Sequence, residues 1–215
     1  EYIAAFIEDA VDEVHIIDME MEHRSFEHIL DLYSPDLIGI TMSATEHNEG
    51  LRLAKIAKKR GIVIMVGGYH PTGVPDLLLS YPQVDMVVRG EGEVTAKEII
   101  QKESPEGVLG VSYRQDSRII HNENRPFIEN LDSLPFPARH LRQYSYKAQD
   151  RKTDYDVILT SRGCYGQCTF CCEPSMSRGR FRWRSPENVI EEILAINKFH
   201  EERRVIGAIA DPNFM

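Results

Sequence analysis

The chain has 215 residues, 27 % charged and 42 % hydrophobic, with a formal net charge of −9, a globular composition long enough for one large domain or two small ones. The acidic balance argues against a general nucleic-acid binder, no apolar run approaches the roughly 20 residues that span a bilayer, and no signal-peptide pattern opens the sequence. Glu1 is not an initiator methionine, so the expectation is a start further upstream.

The first hundred residues alternate helix and strand signals. Ile3, Phe6, Ile7 and Ala10 recur at helical spacing in "EYIAAFIEDA" and predict a helix. "EVHIID" (13–18) reads as a short strand, and "SFEHILDLY" as a helix stopped by Pro35. "DLIGITMS" (36–43) reads as a buried strand and "HNEGLRLAKIAKKRG" (47–61) as a helix capped by Gly61. "IVIMVGG" (62–68) is a strand, "PDLLLSYP" a helix, "VDMVVRG" (84–90) a strand and "VTAKEIIQK" a helix. Strands of near-continuous apolar character between helices predict a doubly wound parallel sheet, Rossmann-like, covered on both faces.

Such sheets bind ligands at the carboxyl ends of their strands. Three strand ends here are chemically alike: "TMSAT" (41–45), "GGYHPT" (67–72) and "RGEGEVT" (89–95). Glycine lets a ligand approach the backbone closely, and all three loops are expected on one sheet edge. None matches a P-loop or a G-x-G-x-x-G fingerprint, so a large ligand contacted by small residues fits better than a nucleotide triphosphate.

Residues 103–150 change character. "GVLGVSYRQDSRIIHNENRPFI" predicts an antiparallel hairpin turning at Gln115, Asp116 and Ser117, and "LDSLPFPARHL" (131–141) is extended and proline-punctuated, so the stretch reads as a linker. Beyond it, "YDVILTSRGC" is a strand running into a cysteine loop. Ser185 then N-caps a helix over 185–200 with Pro186 at its first position, and "VIGAIADPNFM" (205–215) is a second strand. Strand, helix, strand is too little to close a barrel, so the expectation is one part of a longer protein.

All four cysteines lie in "SRGCYGQCTFCCEP", residues 161–174. Disulfides among them would close tiny, strained loops, so metal chemistry in a reducing, cytoplasmic setting is expected. Cys164, Cys168 and Cys171 form C-x-x-x-C-x-x-C, and thiolates at this spacing can converge on one iron–sulfur cluster. Tetrahedral zinc usually needs a second ligand pair at a distance, and the sequence has no second cysteine pair. Cys172 diverges from its neighbour Cys171 and reads as a bystander. Three thiolates on a cubane cluster leave one iron open, whereas a ferredoxin closes its site with a fourth.

"RGCYGQCTFC" resembles the signature of radical S-adenosylmethionine enzymes, with Phe170 as the aromatic residue before the last cysteine. The resemblance implies a partial TIM-like (βα) barrel starting with the strand before the loop. It also implies a 4Fe-4S cluster on Cys164, Cys168 and Cys171, with S-adenosylmethionine on the open iron. Reductive cleavage there yields a 5′-deoxyadenosyl radical, with electrons from an external flavodoxin- or ferredoxin-type donor. "ADPNF" (210–214) resembles the acidic stretch that meets the cofactor's amino group, which implies a contact from Asp211, although Pro212 departs from the paired acids of many relatives.

"DLIGITMSAT", "VGGYHPT" and "VDMVVRGEGEVT", with the linker "RPFIENLDSLPFPARHL", resemble the cobalamin-dependent class of that family. This implies a cobalamin-binding domain over 1–102, a hairpin and linker over 103–150, and the start of the radical barrel over 151–215. By position, Thr41, Ser43, Gly67 and Gly68 would line the cobalamin nucleotide tail. The loop that carries the cobalt-ligating histidine in some cobalamin proteins would precede Glu1, and His47 and His70 read as ordinary loop residues. The leading implied activity is methyl transfer to an unactivated carbon of a small metabolite. Ring closure of the tetrapyrrole type and methylthiolation are alternatives, although the usual methylthiotransferase front domain carries three further cysteines and this one has none. A zinc-binding module is the non-enzymatic alternative.

Overall fold

A computed structural model describes residues 1–150, 152–201 and 203–213. The chain forms two compact units, one of Glu22–Phe127 and one of Glu1–Met21 together with Ile128–Met215. The divisions between these units fall near 21 and 127.

The first unit is a five-stranded sheet with helices. Its elements are α2 (Phe26–Tyr33), β1 (Leu37–Thr41), α3 (His47–Lys58), β2 (Val63–Gly67), α4 (Tyr69–Gly73), α5 (Pro75–Leu79), β3 (Met86–Val88), α6 (Glu93–Lys102), β4 (Val111–Gln115) and β5 (Arg118–His121), following α1 (Tyr2–Ile7) of the other unit. The strand order is β1-β2-β3-β4-β5. β1, β2 and β3 are parallel, and β4 and β5 run antiparallel. The sheet is therefore mixed, and the hairpin expected in a linker extends it. The two-residue turn works because Asp116 adopts φ 55°, a left-handed conformation that aspartate tolerates.

Ile64, Val66, Val87, Leu78, Leu79 and Val84 are wholly buried, and each such side chain stabilises the unit by about 1.5–3 kcal/mol before entropy is subtracted. Ser25 caps α2, its side chain accepting from His28 N. Helix α3 stops at Lys58, three residues before the expected cap, and Gly61 takes φ 81° in the turn beyond it. The expected strand at 13–18 does not form. The run has no ladder partner, and its polar Asp18 instead accepts a hydrogen bond from the Tyr146 hydroxyl at 2.6 Å.

The second unit holds β6 (Asp154–Ile158), β7 (Ser161–Arg162), α7 (Glu173–Ser177), β8 (Arg182–Trp183), α8 (Pro186–Phe199) and β9 (Val205–Ile209). β6 and β9 pair in parallel on either side of α8, the βα unit expected from the sequence. Ser185 caps α8 by accepting from Asn188 N, with Pro186 in the first turn. β7 and β8 pair Ser161 with Trp183 and Arg162 with Arg182, closing the cysteine loop at its base. No helix among the described residues is long and apolar enough to cross a membrane.

Candidate functional site

In the sheet unit, the three expected loops lie together at one sheet edge. Thr41 and Gly67 are register partners at the ends of β1 and β2, and Met42 N donates to Gly67 O at 3.3 Å. Gly90 N, after β3, donates to Thr72 Oγ1 at 3.0 Å. Gly68 sits at φ 106°, and a Cβ there would stand 3.4 Å from Thr41 Cγ2 and 3.5 Å from Met42 O. This is the close backbone passage that only glycine supplies without strain. Ser43 Oγ pairs with Thr45 Oγ1 at 2.8 Å, and Ser43 N donates to Glu46 Oε2 at 2.7 Å, holding the hydroxyl loop open to solvent. A flat, large group with many polar appendages suits this rim of small and hydroxyl-bearing residues, so the chain fits the cobalamin that the resemblance implies.

His47 and His70, expected to be ordinary loop residues, are joined by the fold. His47 Nδ1 and His70 Nε2 are 2.9 Å apart, and the His47 ring also meets Tyr81 edge-on at 5.7 Å. Burial, and then the neighbouring His47, push His70 below the ordinary histidine range. Both residues open helices, α3 and α4, directly after β1 and β2; twenty-three positions of separation hid the pair.

In the second unit the cysteine loop leaves β6. Gly163 turns the chain at φ 90°, and a Cβ there would stand 1.9 Å from Arg180 O. Cys164 is partly buried, and Cys168, Cys171 and Cys172 are exposed. Two backbone amides point at sulfurs, Gly166 N at Cys164 Sγ (3.3 Å) and Glu173 N at Cys171 Sγ (3.4 Å). A Cβ on Gly166 would lie 3.3 Å from Cys164 Sγ and 3.7 Å from Cys168 Sγ, so those two thiols flank one point. Amide donors stabilise thiolate charge and are among the groups that set a cluster's potential. Cys172 is the N-cap residue of α7, and its side chain makes no capping hydrogen bond. Phe170 is 91 % exposed beside the last thiol.

Among the described residues no three His, Cys, Asp or Glu side chains gather tightly enough for a single metal ion. A lone zinc draws its thiolates to about 2.3 Å from one centre, whereas a multi-iron cluster spreads them over separate corners. Three thiols on one loop, two of them receiving backbone amides, form a donor set that suits an iron–sulfur cluster.

Asp211 lies just beyond β9, and its carboxylate faces the protein. Oδ1 accepts from Thr160 N (2.7 Å) and Ser161 N (3.1 Å). Oδ2 accepts from Ser161 Oγ (2.8 Å) and from Thr160 Oγ1. Phe214, at the end of the expected acidic stretch, lies outside the described residues.

Beneath the loop is a buried charge network with little trace in the sequence. Asp154, Asp156 and Ile158 form the buried face of β6. Arg139 reaches Asp156 at 3.1 Å and Glu192 of α8 at 2.5 Å, and Arg184 also pairs with Glu192. Arg142 grips both oxygens of Asp156 (2.8 and 3.0 Å), and His200 adds Nε2 at 3.1 Å. Burial would raise the Asp156 carboxyl, but bonds from Arg142 and the Arg139 charge override it and hold the group well below the usual carboxylate range.

Comparison with known proteins gives the same pattern. A profile described as a B12 binding domain matches residues 1–100. An uncharacterized methyltransferase of Pyrococcus horikoshii is 36 % identical over 207 residues, covering 91 % of this chain and 44 % of that protein. An anaerobic magnesium-protoporphyrin IX monomethyl ester cyclase of Synechocystis is 31 % identical, over 86 % of this chain and 38 % of the cyclase. The chain thus spans less than half the length of these relatives. Among solved structures, the radical S-adenosylmethionine methyltransferase TsrM of Kitasatospora setae matches 98 % of this chain and 44 % of its own, with TM-score 0.76 at 18 % identity. The cobalamin-dependent S-adenosylmethionine radical enzyme OxsB matches 99 % and 31 %, with TM-score 0.76 at 22 % identity. At those identities the likeness speaks for the fold.

Proposed function

Because the chain belongs to the cobalamin-dependent radical S-adenosylmethionine family, we propose that it is part of an enzyme that transfers a methyl group to an unactivated carbon of a small metabolite. The observation that carries this reading is the three-thiol loop with amides aimed at two of its sulfurs, in a chain whose first hundred residues match a B12 binding domain. Cys164, Cys168 and Cys171 would hold the cluster, and the vacant fourth ligand position would leave an iron for S-adenosylmethionine. When bound, the cluster and S-adenosylmethionine supply one-electron radical chemistry, and cobalamin supplies the methyl group.

The chain's own residues bind, orient and shield. Gly163 fixes where the loop departs, and the β7–β8 pairing closes its base. Thr41, Ser43, Gly67 and Gly68 would line the cobalamin tail, where small side chains leave room and hydroxyls offer hydrogen bonds. Phe170, exposed beside Cys171, is suited to cover the adenosyl end of S-adenosylmethionine and exclude water. Electrons would come from an external flavodoxin- or ferredoxin-type donor.

The likeness to the Synechocystis cyclase supports ring closure as a second reading. The full-length protein, reconstituted anaerobically with iron, sulfide and hydroxocobalamin, tests both. Cubane absorbance and reductive cleavage of S-adenosylmethionine are expected. Methyl-labelled S-adenosylmethionine then passes its label to the product in methyl transfer and not in cyclisation. Stoichiometric zinc without iron or sulfide in anaerobically purified protein overturns both and favours a metal-binding module.

A further inference from the structure

The carboxylate of Asp211 stands at the carboxyl end of β9, on the side of the barrel start where a cofactor is expected, yet every acceptor site it has is engaged by its own protein. An ionised carboxylate offers about four lone-pair directions, and Asp211 receives four donors: the amides and the hydroxyls of Thr160 and Ser161. Ser161 is 4 % exposed, so its hydroxyl has little freedom to turn away. The same two residues begin the cysteine loop. Ser161 pairs with Trp183 in the β7–β8 ladder, Thr160 O accepts from Arg184 N at 2.9 Å, and Gly163 and Cys164 follow immediately. At Gly163 the backbone of Arg180 passes so close that an added Cβ would stand 1.9 Å from Arg180 O.

The geometry points to Asp211 as a positioning residue for the cysteine loop. It ties the end of β9 to the first two residues of the segment that carries Cys164, Cys168 and Cys171, and it acts on the cluster through them. This rests on the cluster reading above for its consequence, but the tie itself is a property of the chain. Replacing Asp211 by Asn keeps the size, removes the charge and turns one acceptor into a donor facing donors. Thr160→Val and Ser161→Ala each remove one hydroxyl donor while the backbone amides and Asp211 stay in place, and Thr160→Ser keeps the hydroxyl.

The test uses the full-length protein, first without cluster. Hydrogen exchange at the amides of 161–168 is expected to speed up about tenfold, the equivalent of one lost hydrogen bond, in Asp211→Asn, Thr160→Val and Ser161→Ala, and to stay near wild type in Thr160→Ser. After reconstitution, the same three variants are expected to hold several-fold less iron. Their remaining cluster should show a weaker change in its reduced electron-paramagnetic-resonance spectrum on adding S-adenosylmethionine. Unchanged exchange in all three variants overturns the inference. So does full iron uptake in Thr160→Val and Ser161→Ala with only Asp211→Asn losing the response to S-adenosylmethionine, which would make the carboxylate a direct contact. A wild-type protein that takes up no cluster while the exchange result holds would instead overturn the cluster reading and leave the tie intact.

Discussion

Arg139 and Glu192 form an ion pair at 2.5 Å across fifty-three residues, with Arg139 5 % and Glu192 0 % exposed. The pair joins the proline-rich segment to α8, and Asp156 of β6 and Arg184, just after β8, complete it. Removing one partner of such a group strands buried charge. Arg139→Met is expected to destabilise the protein by about 3–5 kcal/mol, read as a lower urea midpoint with an unchanged slope. A shift of less than about 1 kcal/mol, the level of a surface ion pair, would show that the network is not closed to water.

The same network makes stability depend on pH. Asp156 is held well below the usual carboxylate range, its burial outweighed by Arg142 and Arg139. Asp154 is lowered chiefly by its hydrogen bond from Lys147. A depressed folded pKa contributes stability that is full above the unfolded carboxylate value of about 3.9 and is lost as pH falls toward the folded value. Thermal midpoints are expected to hold between about pH 7 and 5 and to drop steeply below about pH 4. Asp156→Asn should flatten that drop, and an equally steep fall in the variant would assign it to other carboxylates.

At Gly163 an added methyl collides with Arg180 O at 1.9 Å, and φ is 90°. Both atoms belong to the protein frame, so relief requires moving backbone. Gly163→Ala is expected to displace the cysteine loop and cut iron uptake several-fold while far-ultraviolet circular dichroism stays near wild type. Full iron content in the variant would contradict the packing described here.

Single Cys164→Ser, Cys168→Ser and Cys171→Ser variants are each expected to lose most of their iron and sulfide, because a three-ligand cluster has no spare thiolate. Cys172→Ser is expected to retain it, since Cys172 serves as the N-cap residue of α7. Iron and sulfide assays of the four variants decide between this pattern and a site that uses all four thiols.

In the sheet unit, Gly68→Ala forces a side chain into φ 106° against Thr41 and Met42. That conformation, with ψ −170°, is essentially glycine-only and costs an L-residue on the order of 1–3 kcal/mol, so a loss of stability is expected with weakened hydroxocobalamin binding, followed by absorbance titration. Unchanged cobalamin affinity would move the binding surface away from this rim.

The sequence alone determined what local chemistry determines. Apolar periodicity located the three parallel strands and most helices, Ser185 announced a helix start, and the cysteine spacing marked the loop proposed to hold the cluster. These signals are legible because each depends on neighbours within a few residues. What failed or stayed hidden depended on partners far along the chain. The run at 13–18 has strand-like residues but no ladder to join, and the 111–121 hairpin looked like linker until β3 supplied a neighbour. His47 and His70 meet only because β1 and β2 bring two helix starts side by side. The resemblance of "ADPNF" implies a cofactor contact from Asp211, and only the fold shows that its oxygens also accept from Thr160 and Ser161. The buried salt-bridge network is the clearest case: the cost of burying charge is met only when Arg139, Arg142, Arg184 and His200 converge on Asp156 and Glu192 from separate segments.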